Sequence, residues 1–122
     1  MGSALLVFIG GGIGAVLRHA VGRVTVMLGG TGFPVGTMIV NMLGSLIMGL
    51  LAGWFATHPG VGQSSRLFLI TGVLGGFTTF SAFSLDALTL YQRGEAGLAF
   101  GYVGLSVILS LAAIAIGYSL IR

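Results

Sequence analysis

The sequence contains no cysteine, and only seven of its 122 residues are charged, two acidic and five basic. The lack of cysteine excludes disulfide scaffolds, thiolate metal sites and cysteine nucleophiles. Charged residues make up 6% of the chain, whereas a soluble domain carries roughly a quarter. Hydrophobic residues make up 56%, and the mean hydropathy is +1.11. Because so few charges cannot cover a water-facing surface, the composition predicts an integral membrane protein.

The scarcity of charged side chains also excludes several functions. The pI is about 10.2, but the basic residues are five scattered arginines, with no cluster that could follow a phosphate backbone, so no nucleic-acid partner is expected. The two acids, Asp86 and Glu95, lie apart in the sequence, and no nucleophile–base pair is present. An enzyme is therefore not expected.

Four apolar segments are each long enough to cross a bilayer, which takes about 20 residues. They predict an all-α membrane fold with four transmembrane helices at about 4–28, 36–57, 67–92 and 97–121. Glycine, proline and charged residues separate the segments, in a turn over 29–34, a link that starts at His58 and a turn over 93–95. The whole chain, 1–122, is predicted to be a single transmembrane domain.

The arginines do not specify an orientation in the membrane. With a cytoplasmic N-terminus, Arg66 and Arg122 would lie on the cytoplasmic side, and Arg18, Arg23 and Arg93 on or near the other. Orientation follows an excess of positive charge in cytoplasmic loops, and no such excess exists here. We therefore expect insertion in both directions and pairing of two inverted copies.

Glycine is abundant, with 23 residues. Each would cost about 1 kcal/mol relative to alanine in a soluble helix, but in lipid small residues let helix backbones approach closely. The glycines spaced for such contact are Gly10, Gly14, Gly44, Gly49, Gly72 and Gly76.

Residues 10–15 (GGGIGA) match a dinucleotide-binding pattern. That pattern also needs an acidic residue about 20 positions later, to hold the ribose. The first acid in this chain is Asp86. No nucleotide and no organic cofactor are therefore expected.

Two helices carry matched stripes of uncharged polar residues. Thr37, Asn41 and Ser45 are spaced by four on the second helix, and so are Tyr102, Ser106 and Ser110 on the fourth. Residues at this spacing share a helix face. The stripes fit either the lining of a narrow path for a dehydrated ion or hydrogen bonds that hold helices together.

The third predicted helix carries poor helix formers in its middle. Adjacent glycines and threonines predict a break over 75–79, which would release carbonyl and N–H groups that could meet an ion. Phe77, Phe80 and Phe83 follow at intervals of three. Phenylalanine usually faces lipid or core, but the positive edge of its ring can also stabilise a desolvated anion.

Three segments resemble the signature sequences of the CrcB/Fluc fluoride channels. They are residues 12–18 (GIGAVLR), 36–45 (GTMIVNMLGS) and 75–83 (GGFTTFSAF), and the resemblance extends over the whole chain in length, helix number and motif order. It implies an antiparallel, dual-topology homodimer with two fluoride pathways and a structural sodium ion. The sodium would be held by the backbone carbonyls of Gly75 and Thr78.

The resemblance also implies roles for individual side chains. Phe80 and Phe83 would contact fluoride through their ring edges, and Asn41 would be a donor in the pathway. The other predicted pathway residues are Thr37, Thr79, Ser81, Tyr102, Ser106 and Ser110. Arg18 is predicted either at the pore mouth or reaching to the membrane interface. The role of Asp86 is left open, and Phe77 is assigned none.

The predicted function is passive, selective conduction of fluoride through the cell (inner) membrane, which lowers cytoplasmic fluoride. The expected partners are fluoride, membrane lipid and an inverted second copy. One alternative is a small multidrug-resistance transporter, which would need a carboxylate in the first helix, where this chain has none. Another is a non-conducting assembly subunit, which would explain the glycines but neither the broken helix nor the polar stripes.

Overall fold

The computed structural model describes residues 2–29 and 32–121. The described chain is helical, and four of its helices are long and apolar enough to cross a membrane, as predicted. The helices are α1 (Gly2–Met27), α2 (Val35–Thr57), α3 (Gln63–Arg66), a π-helix (Leu67–Leu74), α4 (Gly75–Phe77), α5 (Phe80–Gln92) and α6 (Ala96–Ile121). The segments from α3 to α5 together form the third span, Gln63–Gln92. Gly30 and Thr31 of the predicted turn and the terminal Arg122 lie outside the described residues.

The turns before α2 and after α5 are joined at one end of the bundle. Gly29 and Gly94 have φ values of +98° and +82°, which favour glycine. Arg93 forms an ion pair with Glu95 at 2.6 Å, and its Nη2 donates to the Gly32 carbonyl at 2.8 Å. The arginine therefore ties the α5–α6 turn to the residues that precede α2.

The third span is broken near its middle, as predicted, but the break is shorter than residues 75–79. Gly75 to Phe77 are helical, and only Thr78 (φ −86°, ψ 161°) and Thr79 (φ −153°, ψ 125°) are extended. At Gly76 α1 packs directly on the span, since a Cβ there would meet the backbone of Gly11. The eight-residue π-helix that precedes α4 was not predicted.

Glycines form the closest helix contacts. A Cβ on Gly10 would lie 3.0 Å from Gly72 Cα, so α1 and the π-helix meet backbone to backbone. Between α2 and α6, a Cβ on Gly49 would meet the Ile114 carbonyl. All six glycines identified from their spacing lie at close approaches of this kind. Gly10, Gly14, Gly72 and Gly76 lie between α1 and the third span, Gly44 between α2 and the break, and Gly49 between α2 and α6.

Gly14→Ala should destabilise the fold strongly. The added Cβ would collide with the Val73 carbonyl and lie 2.7 Å from the Phe77 amide nitrogen, both backbone atoms of the third span. Overpacking of this kind costs about 1–3 kcal/mol. Reversible unfolding in detergent measures the change. Gly12→Ala is the matched control, because a Cβ there meets nothing within 4 Å; equal stability of the two variants would contradict this packing.

Candidate ion pathway at the broken helix

Asn41 on α2 holds the break in the third span. Its side-chain Nδ2 donates to the Thr79 carbonyl at 3.0 Å, and its Oδ1 accepts from the Thr79 N–H at 2.8 Å. One amide side chain therefore satisfies both backbone groups of an extended residue at membrane depth, where an unpaired group is costly. An asparagine NH₂ has two N–H donors, so the second is still available for another acceptor.

Two backbone carbonyls beside the break lack the N–H that a continuous helix would offer them. In an α-helix each carbonyl accepts from the N–H four residues later. For Gly75 that N–H belongs to Thr79, which donates to Asn41 instead. For Thr78 it belongs to Ala82, which donates to the Thr79 hydroxyl at 3.1 Å. The break therefore leaves the carbonyls of Gly75 and Thr78 without these helical partners.

Arg18 also reaches the break. Its Nε donates to the Gly76 carbonyl at 3.2 Å, across a separation of 58 residues. Gly76 belongs to the last helical turn before the break, where carbonyls lack intrahelical partners and attract positive charge. The arginine side chain thus caps the end of α4, and the prediction of a pore-mouth role is not tested by this contact.

An open cleft of about 300 Å³ lies beside the break. Its lining comes from α2, the break, α5 and α6, and none of the described residues that line it is charged. The lining residues are Asn41, Gly44, Ser45, Met48, Thr78, Thr79, Phe80, Phe83, Ser106, Val107, Ser110 and Ile114. Parts of both predicted polar stripes therefore face one space, together with both phenylalanines of the predicted pathway.

Ser106 gives the cleft an unused hydrogen-bonding group. Its side chain is 4% exposed, and its hydroxyl has no hydrogen-bond partner among the described residues. Buried hydroxyls are almost always paired, so this one is free to donate to a water, an ion or another group that reaches it. Ser110, one turn further along α6, lines the same cleft.

The two phenylalanines differ in their surroundings. Phe83 is buried and lies with its ring centroid 5.2 Å from that of Tyr102. Phe80 is 78% exposed, and its only described ring neighbour is Phe83, at 5.6 Å and a 46° tilt. A large apolar ring exposed at the mouth of a cleft indicates that a further surface covers it, either lipid or protein.

The structure separates Thr37 and Tyr102 from the cleft. Tyr102 is completely buried behind Phe83, and its hydroxyl donates to Asp86 Oδ2 at 3.2 Å. Thr37 lines two neighbouring clefts, one with Arg18 and one with Asp86. The two predicted stripes are therefore each divided, and only part of each faces the open cleft.

The remaining predicted residue, Ser81, is exposed at the start of α5. Its hydroxyl lies 3.3 Å from the Thr79 hydroxyl, and Ser81 does not line the cleft.

Sequence reasoning did not anticipate the Arg18–Gly76 contact or the pairing of Asp86 with Tyr102. A sequence signal existed for both, since Arg18 and Asp86 are rare charges within otherwise apolar spans.

A family model described as "CrcB-like protein, Camphor Resistance (CrcB)" matches residues 5–118. The chain belongs to this family. A protein of Rhodopseudomonas palustris (strain BisB5), named "Fluoride-specific ion channel FluC", is 56% identical to this chain over 97% of it and 95% of the relative. Relatives with the same name from Hyphomonas neptunium and Methylobacterium sp. (strain 4-46) are 54% and 51% identical, and each match covers at least 96% of both chains. With its four spans, this member of the family is a multi-pass membrane protein of the inner membrane.

Proposed function

We propose that this chain is a fluoride channel, which exports fluoride passively down its electrochemical gradient and lowers its cytoplasmic concentration. Relatives more than half identical over nearly the whole chain carry the name of a fluoride-specific ion channel. The observation that supports it in the structure is the uncharged cleft beside the broken span, where the buried Ser106 hydroxyl has no hydrogen-bond partner in the described part of the chain.

The cleft offers a small anion neutral groups in place of water. The second Asn41 N–H and the hydroxyls of Ser106 and Ser110 can donate hydrogen bonds, and the edges of Phe80 and Phe83 carry partial positive charge. No lining residue offers a fixed counter-charge. Without a fixed counter-charge the cleft binds an anion only weakly. Conduction requires such binding, because the ion must be able to leave as well as enter.

A second, inverted copy would complete the pathway. Phe80 is 78% exposed beside the open cleft and Gly75 is exposed at the break, so one subunit leaves both at its surface. The balanced arginines favour insertion in both directions. Reporters active in only one compartment, fused separately to each terminus, should both give signals for both termini. One fixed orientation would contradict the antiparallel dimer.

A structural sodium ion fits the residues at the break. The carbonyls of Gly75 and Thr78 lack their helical N–H partners, and the Gly76 carbonyl between them is occupied by Arg18. Carbonyls freed where a membrane helix unwinds are typical sodium ligands. Bound there, the ion would supply a positive charge that holds the two halves of the span together, while Asn41 fixes the extended backbone.

Fluoride efflux from liposomes that contain the purified protein tests the proposed function. An electrode should record fast loss of internal fluoride, and the same vesicles loaded with chloride should retain it. Protein-free liposomes give the background leak. Equal efflux of the two halides, or fluoride efflux at the background rate, would contradict a fluoride-selective channel.

Ser106→Ala should slow fluoride efflux about tenfold or more. A hydrogen bond to a charged group contributes about 1.5–3 kcal/mol, and this hydroxyl has no other described partner. For the same reason the substitution should leave the melting temperature in detergent unchanged. Ser119→Ala is the control on the same helix, because its hydroxyl donates to the Ile116 carbonyl and lies outside the cleft. Wild-type efflux in Ser106→Ala would show that the hydroxyl does not meet the ion.

A further inference from the structure

A second, apolar groove lies at the opposite end of the bundle from the Arg93–Glu95 turn. It has a volume of about 470 Å³ and lies between the last turns of α2, the start of the third span and the end of α6. Leu51, Trp54, Phe55, Val61 and Leu69 are among its lining residues, and Ser65 adds a hydroxyl. None of the residues assigned to the ion pathway lines it.

Arg66 places a positive charge beside this groove. Its guanidinium carbon lies 5.2 Å from the centroid of the Phe55 ring, which forms part of the groove lining. Within the described residues Arg66 has no ion pair, since Glu95 is paired with Arg93 and Asp86 accepts from Tyr102. The cation is therefore held against an apolar wall and is available for an anion.

Aromatic residues mark this end of the groove as the level of the lipid headgroups. Trp54 is 39% exposed and stacks on His58, with ring centroids 4.2 Å apart and a 15° interplanar angle. His58 Nδ1 lies 2.8 Å from the Trp54 carbonyl oxygen, which fixes the pair at the helix end. Amphipathic rings are enriched where the hydrocarbon region meets the headgroups.

We propose that the groove binds one anionic phospholipid, with an acyl chain along the apolar lining and the headgroup phosphate on Arg66. Basic pockets between transmembrane helices are typical sites for anionic headgroups, and a guanidinium matches a phosphate in geometry. A second copy of the chain fits less well. Each copy has only two acidic side chains; Glu95 is paired with Arg93, and Asp86 accepts a hydrogen bond from the completely buried Tyr102.

Native mass spectrometry of the full-length protein, with equimolar phosphatidylglycerol and phosphatidylcholine added in detergent, measures the preference. The wild type should retain phosphatidylglycerol in preference to phosphatidylcholine. Arg66→Gln should lower the ratio of bound phosphatidylglycerol to phosphatidylcholine about fivefold, the effect of one arginine near an anionic lipid. Arg93→Gln, which removes the same charge at the other end, should keep the wild-type ratio. Val61→Phe, which narrows the groove, should reduce retention of both lipids.

Several results would overturn this assignment. One is an unchanged lipid ratio in Arg66→Gln. Another is displacement of the lipid by glycerol phosphate at equal concentration, because that would show a site for the headgroup alone. A third is efficient photocrosslinking between copies in liposomes when a photoreactive amino acid replaces Val61, since a second copy in either orientation would then occupy the groove. If Arg66→Gln fails to fold, Arg66→Lys should retain a preference for the anionic lipid, and loss of that preference would also count against the site. None of these readouts depends on fluoride flux, so the two proposals fail separately.

Discussion

Asn41→Asp should reduce fluoride efflux by about a thousandfold, to the background leak. The carboxylate would place a negative charge in a cleft whose lining, as far as the structure describes it, carries no charge. Two unit charges about 4 Å apart repel by about 4 kcal/mol at an effective dielectric constant of 20, and each 1.4 kcal/mol changes a rate about tenfold. The substitution also removes the Nδ2 donor, so a carboxylate oxygen would face the Thr79 carbonyl without a proton between them.

Asn41→Ala separates the charge from the lost hydrogen bonds. It removes both bonds to Thr79 but introduces no charge, so it should lower the melting temperature in detergent and still conduct measurably. Efflux from liposomes and thermal unfolding, recorded on both variants, give the comparison. If Asn41→Asp conducts at half the wild-type rate or more, the ion does not pass this side chain. If Asn41→Ala is equally inactive, loss of the Thr79 contacts and not repulsion is the cause.

Phe80→Ile should abolish most fluoride efflux while it leaves the stability of the subunit nearly unchanged. The phenyl ring is 78% exposed, so its replacement removes little packing within the subunit. Isoleucine keeps the apolar character and lacks the positive ring edge. If ring edges replace part of the fluoride hydration shell, we expect efflux to fall about a hundredfold or more, which corresponds to about 3 kcal/mol.

Phe83→Ile should impair both conduction and stability. Phe83 is buried in the cluster that includes Tyr102 and Leu90, so its loss leaves a cavity as well as an absent ring edge. The stability effect distinguishes it from Phe80→Ile. Phe100→Ile is the matched control, because Phe100 is 72% exposed and lies outside the cleft. Full efflux from both Phe80→Ile and Phe83→Ile would contradict a role for the rings. An equal loss of efflux in Phe100→Ile would show that the effect comes from losing any large side chain that faces the lipid, and not from losing a ring in the cleft.

Much of the fold could be predicted because a bilayer simplifies the problem. Apolar runs of sufficient length specify spanning helices, and the observed ends of α2 and α6 lie within a residue of the predicted ones. Glycine spacing correctly identified positions of close helix approach, Gly10, Gly49 and Gly72 among them, because close approach needs small residues at regular intervals, but it did not give their partners. The weak helix formers around Thr78 and Thr79 placed the break near the middle of the third span.

What the sequence could not specify depends on long-range contacts. Asn41 and Thr79 are 38 residues apart, and helical periodicity gives no register between their helices. Periodicity placed Tyr102 and Ser106 on one face of α6, but the Phe83 ring packs against Tyr102, while Ser106 lines the cleft. In the π-helix from Leu67 to Leu74 each hydrogen bond spans five residues instead of the four of an α-helix. This difference is too small to change the hydrophobic pattern of the sequence.

Blocking the cleft with a label on an introduced cysteine shows whether fluoride passes through it. The chain has no cysteine of its own, so the label attaches only where a cysteine is introduced. Ser110→Cys places a single thiol in the cleft, and Ser119→Cys places one on the same helix outside it. After treatment with a bulky methanethiosulfonate, with labelling verified by mass, fluoride efflux should stop in Ser110→Cys and continue unchanged in Ser119→Cys. Unchanged efflux from fully labelled Ser110→Cys would show that fluoride crosses the membrane by another route.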